Sequence, residues 1–376
     1  MDSMSRALLT SVLSLPTMSF HETAVATMVR FYASGLGLSV HEDKAGNLLV
    51  SYRGGGGSRP RGGQSVTFAA HMDHPGFEVI GASGGKAVVA LWGKVDPKTF
   101  AGSEVVVYTS EGAFKGRIGR SPLKEKRLGR FCFNLLTDAA VSAGDFGHYD
   151  LPAIRMSGDR IVTRAADNLI SVVAILDLFT RLVAARARVN ASGLFTRGEE
   201  AGFLGAFAAM EQGTIPKGDP LVVLECSSAA GGNCVIGAGP VIRAGDLQST
   251  YDPAVEVWMT GAAAKIKRTG LGGKESGAGR PFKYQRALLQ GGRCEACVYV
   301  AEGYRTGGIA MPLGNYHNQG PRGPAAEYVS ASDYDGLITL MAALAHNPMP
   351  RNTMKAKVAP IWKHYRELKG KFLASR

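Results

Sequence analysis

The sequence predicts an α/β protein, a sheet with helices on both faces, interrupted by a small inserted β-barrel. Three observations carry this. From residue 165 onward helical and strand-like runs alternate. From about 77 to 161 the texture changes to short β-rich runs without a convincing helix. The 376 residues also exceed the ~250–300 at which a single core stops growing. The expected division is a larger catalytic-sized domain built from 1–76 and 162–376, with residues 77–161 inserted between its halves.

Ser19 and Glu22 stand at capping-box spacing ahead of Val25, Met28, Val29 and Tyr32. The i, i+3, i+4, i+7 rhythm of those four predicts an amphipathic helix lying on a sheet. NLLVSYR (47–53) and SVTFAAHM (65–72) read as strands, and the Gly-rich RGGGGSRPRGG (53–63) between them reads as a long hairpin connection. FEVIGA, KAVVALWGKV, SEVVVYTS and AFKGRIG, divided by Gly and Pro, are the expected strands of the insert. Leu169, Val172, Val173 and Leu176 then mark a helix, ASGLFTR (191–197) a strand, 202–212 a helix and PLVVLEC (220–226) a strand.

Composition narrows the class. A hydrophobic content of 45% places the chain among ordinary globular proteins. The N-terminal MDSMSRALLTSVLSLPTMSF has no charged head, unbroken apolar block or small-residue cleavage site, so it is not read as a signal peptide and the expected location is cytoplasmic, with no membrane role. Cys132, Cys226, Cys234, Cys294 and Cys297 make an odd count, against a disulfide framework. Cys294 and Cys297 form a C-x-x-C, but no second Cys or His pair stands at zinc-ribbon spacing. The net charge of +12 peaks in the Gly-rich 264–286, which matches no nucleic-acid-binding signature and reads as a solvated loop.

The chemistry sits where charged residues interrupt strand ends. His71 ends an apolar strand, and Asp73, two residues on, falls on the same side of an extended chain, a ligand with an orienting neighbour. Asp167 precedes a strongly apolar helix, where it also fits an N-cap. Glu199 and Glu200 follow the strand ending at Gly198; adjacent side chains point apart, so one can bind metal while the other faces substrate. Glu225 ends a further strand and His317 lies beyond another. All gather at the strand edge where open α/β sheets collect ligands. Two His and three carboxylates suit two divalent ions, zinc first and cobalt or manganese as alternatives. No G-x-S-x-G elbow supports a serine nucleophile.

In order along the chain, SLPTMSFHE, DKAGNLL, HMDHPGF, SGDRIVTRAADN, RGEEAGFLGA, LVVLEC, GAGPVIRAGD, NYHN and EYVSASDYDGL resemble the glutamyl aminopeptidase and TET-type aminopeptidase family, which belongs with the co-catalytic zinc peptidases. The resemblance implies a mixed-sheet zinc-peptidase-like catalytic domain, an insert that helps build a homo-oligomer, and hydrolysis of N-terminal residues from short peptides. It implies that Asp167 bridges two metals, with His71 and Glu225 completing one site and Glu200 and His317 the other. Glu199 is then the general base and Asp73 orients His71. Departures from the family pattern are His74 and Pro75 after the His-x-Asp, Asn168 and Leu169 after the bridging Asp, and PLGNY before the last ligand. These bear on the substrate pocket rather than the ligands. The competing readings are an amidohydrolase or deacylase acting on small N-acyl substrates, and a non-catalytic scaffold whose basic surface binds an anionic partner.

Overall fold

A computed structural model describes residues 1–54, 65–84, 86–124, 129–270, 281–289, 291–350 and 352–374. The basic Gly-rich 264–286, expected as a loop, falls partly outside these residues, and its described ends are helical up to Thr269 and strand from Gln285. In chain order the helices are α1 (Ser3–Leu13), α2 (Thr23–Gly35), the single turn α3 (Pro97–Phe100), α4 (Ala166–Ala184), α5 (Leu204–Glu211), α6 (Pro253–Thr269), α7 (Ala296–Ala301), α8 (Ala331–His346) and α9 (Thr353–Ala374). The strands of the main sheet are β1 (Ser39–Glu42), β2 (Leu48–Arg53), β3 (Val66–His71), β12 (Asn190–Thr196), β13 (Leu221–Ser228), β14 (Val241–Gly245), β15 (Gln285–Leu288) and β16 (Thr306–Leu313).

Their order is β1-β2-β12-β3-β13-β16-β14-β15. β12, β3, β13 and β16 run parallel at the centre, while β2 and β14 meet their inner neighbours antiparallel. The sheet is therefore mixed. Because the four central strands are parallel, their C-terminal ends share one edge. The expected hairpin between the strands at 47–53 and 65–72 does not form, since β12 lies between β2 and β3. All seven β12 residues are buried, so this strand gains more from the middle of the sheet than the direct β2–β3 pairing could offer. The connection itself, 55–64, lies outside the described residues.

Period-two alternation sends neighbouring side chains to opposite faces. Phe68, Ala70, Leu224 and Met311 pack with α1, α2, α4, α6 and α8, while Ala69, Leu194, Leu221 and Val223 pack with α5 and α7. α4 is buried nearly all round because it crosses the sheet centre beneath other helices. Gly193 on β12 allows that approach: a Cβ there would lie 2.5 Å from Ile175 Cγ2.

Six antiparallel strands, β4 (Gly76–Ser83), β5 (Lys86–Trp92), β6 (Glu104–Thr109), β7 (Gly112–Ile118), β8 (Cys132–Leu136) and β9 (Phe146–Tyr149), close a barrel. Phe77, Val89, Phe100, Val107 and Phe133 fill it. The first and last strands pair, Phe77 opposite Gly147, so the chain enters and leaves the barrel side by side. The hairpin β10 (Ile154–Ser157) and β11 (Arg160–Thr163), grouped with the insert by its β texture, pairs instead with β19 (Glu327–Ser330) outside the barrel; Gln319–Gly320 (β17) and Gly323–Pro324 (β18) form a short ladder before it.

The expected capping box is also absent. Glu22 precedes α2 without a side-chain cap bond. Ser19 donates to Asp73 Oδ2 at 2.7 Å, and Glu22 accepts from the Gly198 N–H at 2.9 Å and from Arg197 Nε at 2.9 Å. Tertiary partners outcompete the local cap, and the segment before α2 becomes a brace for the site.

Candidate metal centre

His71 stands at the end of β3 with its ring buried. Its Nδ1 lies 3.1 Å from the Asp73 carbonyl and 3.3 Å from Asp73 Oδ1. With the proton on Nδ1, the Nε2 lone pair faces Asp167 Oδ1 at 3.5 Å, Glu225 Oε1 at 3.6 Å and Glu199 Oε2 at 3.9 Å. His317 repeats the arrangement from the other side. Its Nδ1 meets the Lys94 carbonyl at 3.0 Å, leaving Nε2 toward Glu200 Oε1 at 2.8 Å and Asp167 Oδ2 at 3.6 Å. In both rings one nitrogen is fixed by an acceptor, which orients the other as a ligand.

A lone pair held against carboxylate oxygens is repulsive unless a proton or a metal cation stands between them. Asp167 Oδ1 is buried without a hydrogen-bond partner, an expensive state for a polar atom unless something else satisfies it, and His317 Nε2 has only the Glu200 carboxylate within close reach. Ligand atoms of His71, Asp167 and Glu225 lie within 4.8 Å of one another, as do those of Asp167, Glu200 and His317. The two groups share Asp167. His71, Glu199 and Glu200 form a third such group. The donor set of imidazole nitrogen and carboxylate oxygen fits divalent transition ions.

Each side chain is held by a nameable device. Asp73 is buried and accepts the Glu199 N–H on Oδ1 and the Glu200 N–H on Oδ2, each at 3.0 Å, so it joins the end of β3 to the turn after β12. That turn needs Gly198, whose φ is +59°. Asp167 and Asn168 have non-helical backbone angles at the start of α4, so Asp167 is not a plain N-cap. Glu225 Oε2 accepts the Cys226 N–H at 3.0 Å. Asn315, His317 and Asn318 all have positive φ, 56°, 54° and 59°, a sparsely populated region that the surroundings must enforce.

The residue that enforces it opens the EYVSASDYDGL motif, yet nothing local to that motif marks its role. Glu327, fully buried at the start of β19, accepts the Asp167 N–H at 3.0 Å and the His317 N–H at 2.7 Å. One carboxylate thus fixes the backbone of two site residues 150 positions apart in sequence. His74, noted only as a departure from the family pattern, is buried with Nδ1 against the Asp167 carbonyl and Nε2 3.1 Å from Asn318 Oδ1. Asn168 donates to the Leu224 carbonyl at 2.7 Å, tying α4 to β13 one residue before Glu225. Partners made of backbone atoms leave no pattern in sequence.

Electrostatics follow from packing five carboxylates around two imidazoles. Burial alone would lower the His71 and His317 pKa values, but the facing carboxylates hold both well above the ordinary range. Burial raises Glu199 well above the usual carboxylate range, with Glu225 and Glu200 adding to it against His71, and pushes Glu225 up to about 7. Asp167 goes the other way: burial opposes it, yet the two imidazoles hold it below the ordinary value. The pocket is thus short of positive charge.

Four of the five candidate ligands and Glu199 lie within residues 135–340, which match the sequence profile of the M42 glutamyl aminopeptidase family; His71 and Asp73 lie before the match. No curated protein sequence matches the chain. Among solved structures, an aminopeptidase from the archaeon Desulfurococcus kamchatkensis superposes with a TM-score of 0.76 at 22% identity, over 94% of this chain and 97% of the other. A TET aminopeptidase from a marine sediment Thaumarchaeota archaeon gives 0.75 at 21%, over 94% and 98%. The Pyrococcus horikoshii TET1 peptidase, described as assembling into a tetrahedron or a large octahedral shell, gives 0.71 at 23%, over 91% and 99%. These likenesses establish the shared mixed α/β fold with its barrel. Since the matched segment is more than half of the chain, the protein belongs to the M42 glutamyl aminopeptidase family and is a metal-dependent aminopeptidase, a hydrolase of peptide bonds.

Proposed function

We propose that this aminopeptidase holds two divalent ions, zinc first and cobalt or manganese as alternatives, with Asp167 bridging them. His71 and Glu225 complete one site; Glu200 and His317 complete the other. The observation that carries the reading is the pair of outward imidazole Nε2 atoms facing one shared Asp167 carboxylate, whose Oδ1 is buried and unpartnered.

When bound, such a pair of ions supplies Lewis acidity and makes water a nucleophile near neutral pH. Glu199 then takes the proton of the attacking water and returns it to the leaving nitrogen. The placement of its carboxylate beside His71 supports this, and so does a burial that favours accepting a proton. Asp73 keeps His71 in the tautomer that leaves Nε2 free and fixes the turn carrying Glu199.

Short peptides are the expected substrates, and the chain is expected to assemble as a homo-oligomer through its barrel. Five unpaired, buried cysteines support a reducing compartment, and we place the protein in the cytoplasm. No helix among the described residues is long and apolar enough to cross a membrane. Elemental analysis of active protein should find up to two transition ions per chain, and a chelator should remove them together with turnover. Full activity in protein free of transition metal would defeat the assignment.

A further inference from the structure

α9 is built unlike the other helices. It packs against α6, but from Met354 to Lys369 not one residue is buried. Yet this stretch is not polar. Met354, Ile361 and Leu368 recur at seven-residue spacing with Val358 and Tyr365 between them, which at 3.6 residues per turn makes one apolar stripe bordered by Trp362. Ile361 is 68% exposed, Trp362 58%, Leu368 46% and Tyr365 41%. Such a stripe in water needs a partner.

Charge indicates which. Lys363 and Arg366 lie across from the stripe, and Lys355, Lys357 and Lys369 flank it. The one carboxylate among them, Glu367, is 4.0 Å from Lys363 and at the limit of an ion pair. A second copy docking stripe to stripe would bring the same flanking lysines together, and like charges at that range repel. A membrane with anionic headgroups offers the complement. Flanking lysines can extend their stems along the apolar surface and place their ammonium groups on lipid phosphates, while Trp362 and Tyr365 suit the boundary between headgroup and acyl chain. α9 cannot span a bilayer, so it would lie along the surface.

We propose that α9 is a membrane-surface element that binds an anionic lipid bilayer through the Met354–Leu368 stripe and its flanking lysines. The inference uses no residue of the metal centre. It places part of the enzyme population at anionic membranes without changing the chemistry it performs.

The test is co-sedimentation of the full chain with vesicles of phosphatidylcholine alone and with about 30% phosphatidylserine. Partition into the anionic vesicles should be at least about tenfold greater, and should fall sharply near 0.5 M salt as the charges are screened. Ile361→Glu with Trp362→Glu should abolish it. Lys357→Glu with Lys369→Glu, which leaves the stripe intact, should weaken it by about tenfold or more. Both variants should hydrolyse soluble peptides at the wild-type rate. Equal or negligible binding to the two vesicle types overturns the proposal, as does binding that survives both variants. If wild type ignores vesicles and Ile361→Glu with Trp362→Glu reduces its mass in light scattering, the occupant is a second copy and the lipid proposal is wrong.

Discussion

Adjacent in sequence, Glu199 and Glu200 point at different partners: Glu200 Oε1 is 2.8 Å from His317 Nε2, while Glu199 Oε2 stands 3.9 Å from His71 Nε2. If Glu199 moves the proton rather than holding an ion, Glu199→Gln should keep its metal content and lose turnover by about 10²–10⁴-fold, the usual worth of a general base. Elemental analysis beside single-turnover kinetics separates the two roles, and metal loss in parallel with activity would make Glu199 a ligand. Glu327 allows a second residue-scale test. Its carboxylate serves two N–H donors, and the amide of Gln can accept only one of them while aiming its own N–H₂ at the other. Glu327→Gln should therefore weaken metal affinity by about 10–100-fold, as loss of a supporting partner commonly does. Competition against a chelator of known affinity reads this directly, and excess metal should restore turnover. A variant with unchanged affinity would reduce Glu327 to a folding role.

At the scale of elements, much of the fold was legible because burial writes itself into period. The β12 and β13 runs, the α4 stripe and the barrel strands were all visible as apolar rhythm, and charged residues at their ends marked the candidate site. What stayed hidden was set by partners distant in sequence. Ser19 and Glu22 fit a capping box by spacing but bond to Asp73 and the Gly198 turn, and β2 and β3 look like a hairpin until β12 is inserted between them. The barrel has a buried titratable group of its own. His148 on β9 has Nδ1 2.8 Å from the Tyr149 carbonyl and Nε2 3.0 Å from the Tyr108 hydroxyl. Burial first, then the positive Arg164, push its pKa down to about 3 from the ordinary 6.5. The folded state thus disfavours the protonated ring, so its stability is full above about pH 6.5 and is lost as pH falls toward 3, at up to ~1.4 kcal/mol per pH unit. His148→Gln removes that titration. The melting temperature of wild type should drop more steeply than that of the variant between pH 6.5 and 4, and parallel curves would show that His148 is not the group responsible.

At the scale of the whole molecule, one chain completes the candidate metal centre alone. His71, Asp167, Glu199, Glu200, Glu225 and His317 converge within a single subunit, and their supports Asp73 and Glu327 come from the same chain. The barrel supplies the Lys94 carbonyl that holds His317 and meets the main domain again where Phe20 packs on Trp92 and His21 stacks on Phe146, but it keeps a core of its own. A barrel that closes its own hydrogen bonds and packs its own interior has its outer surface free for other contacts, and Leu136 on β8 leaves an apolar side chain 58% exposed there. This surface motivates the homo-oligomer proposed above. Light scattering near neutral pH should give a mass several times the 39.7 kDa of one chain. Because the candidate ligands need no partner subunit, specific activity on a short peptide should stay constant as the enzyme is diluted until the assembly dissociates and beyond. A mass of one chain at micromolar concentration sinks the oligomer while sparing the metal centre. Activity that falls in step with dissociation has the opposite consequence: the oligomer stands, and a neighbouring subunit must supply part of the substrate site.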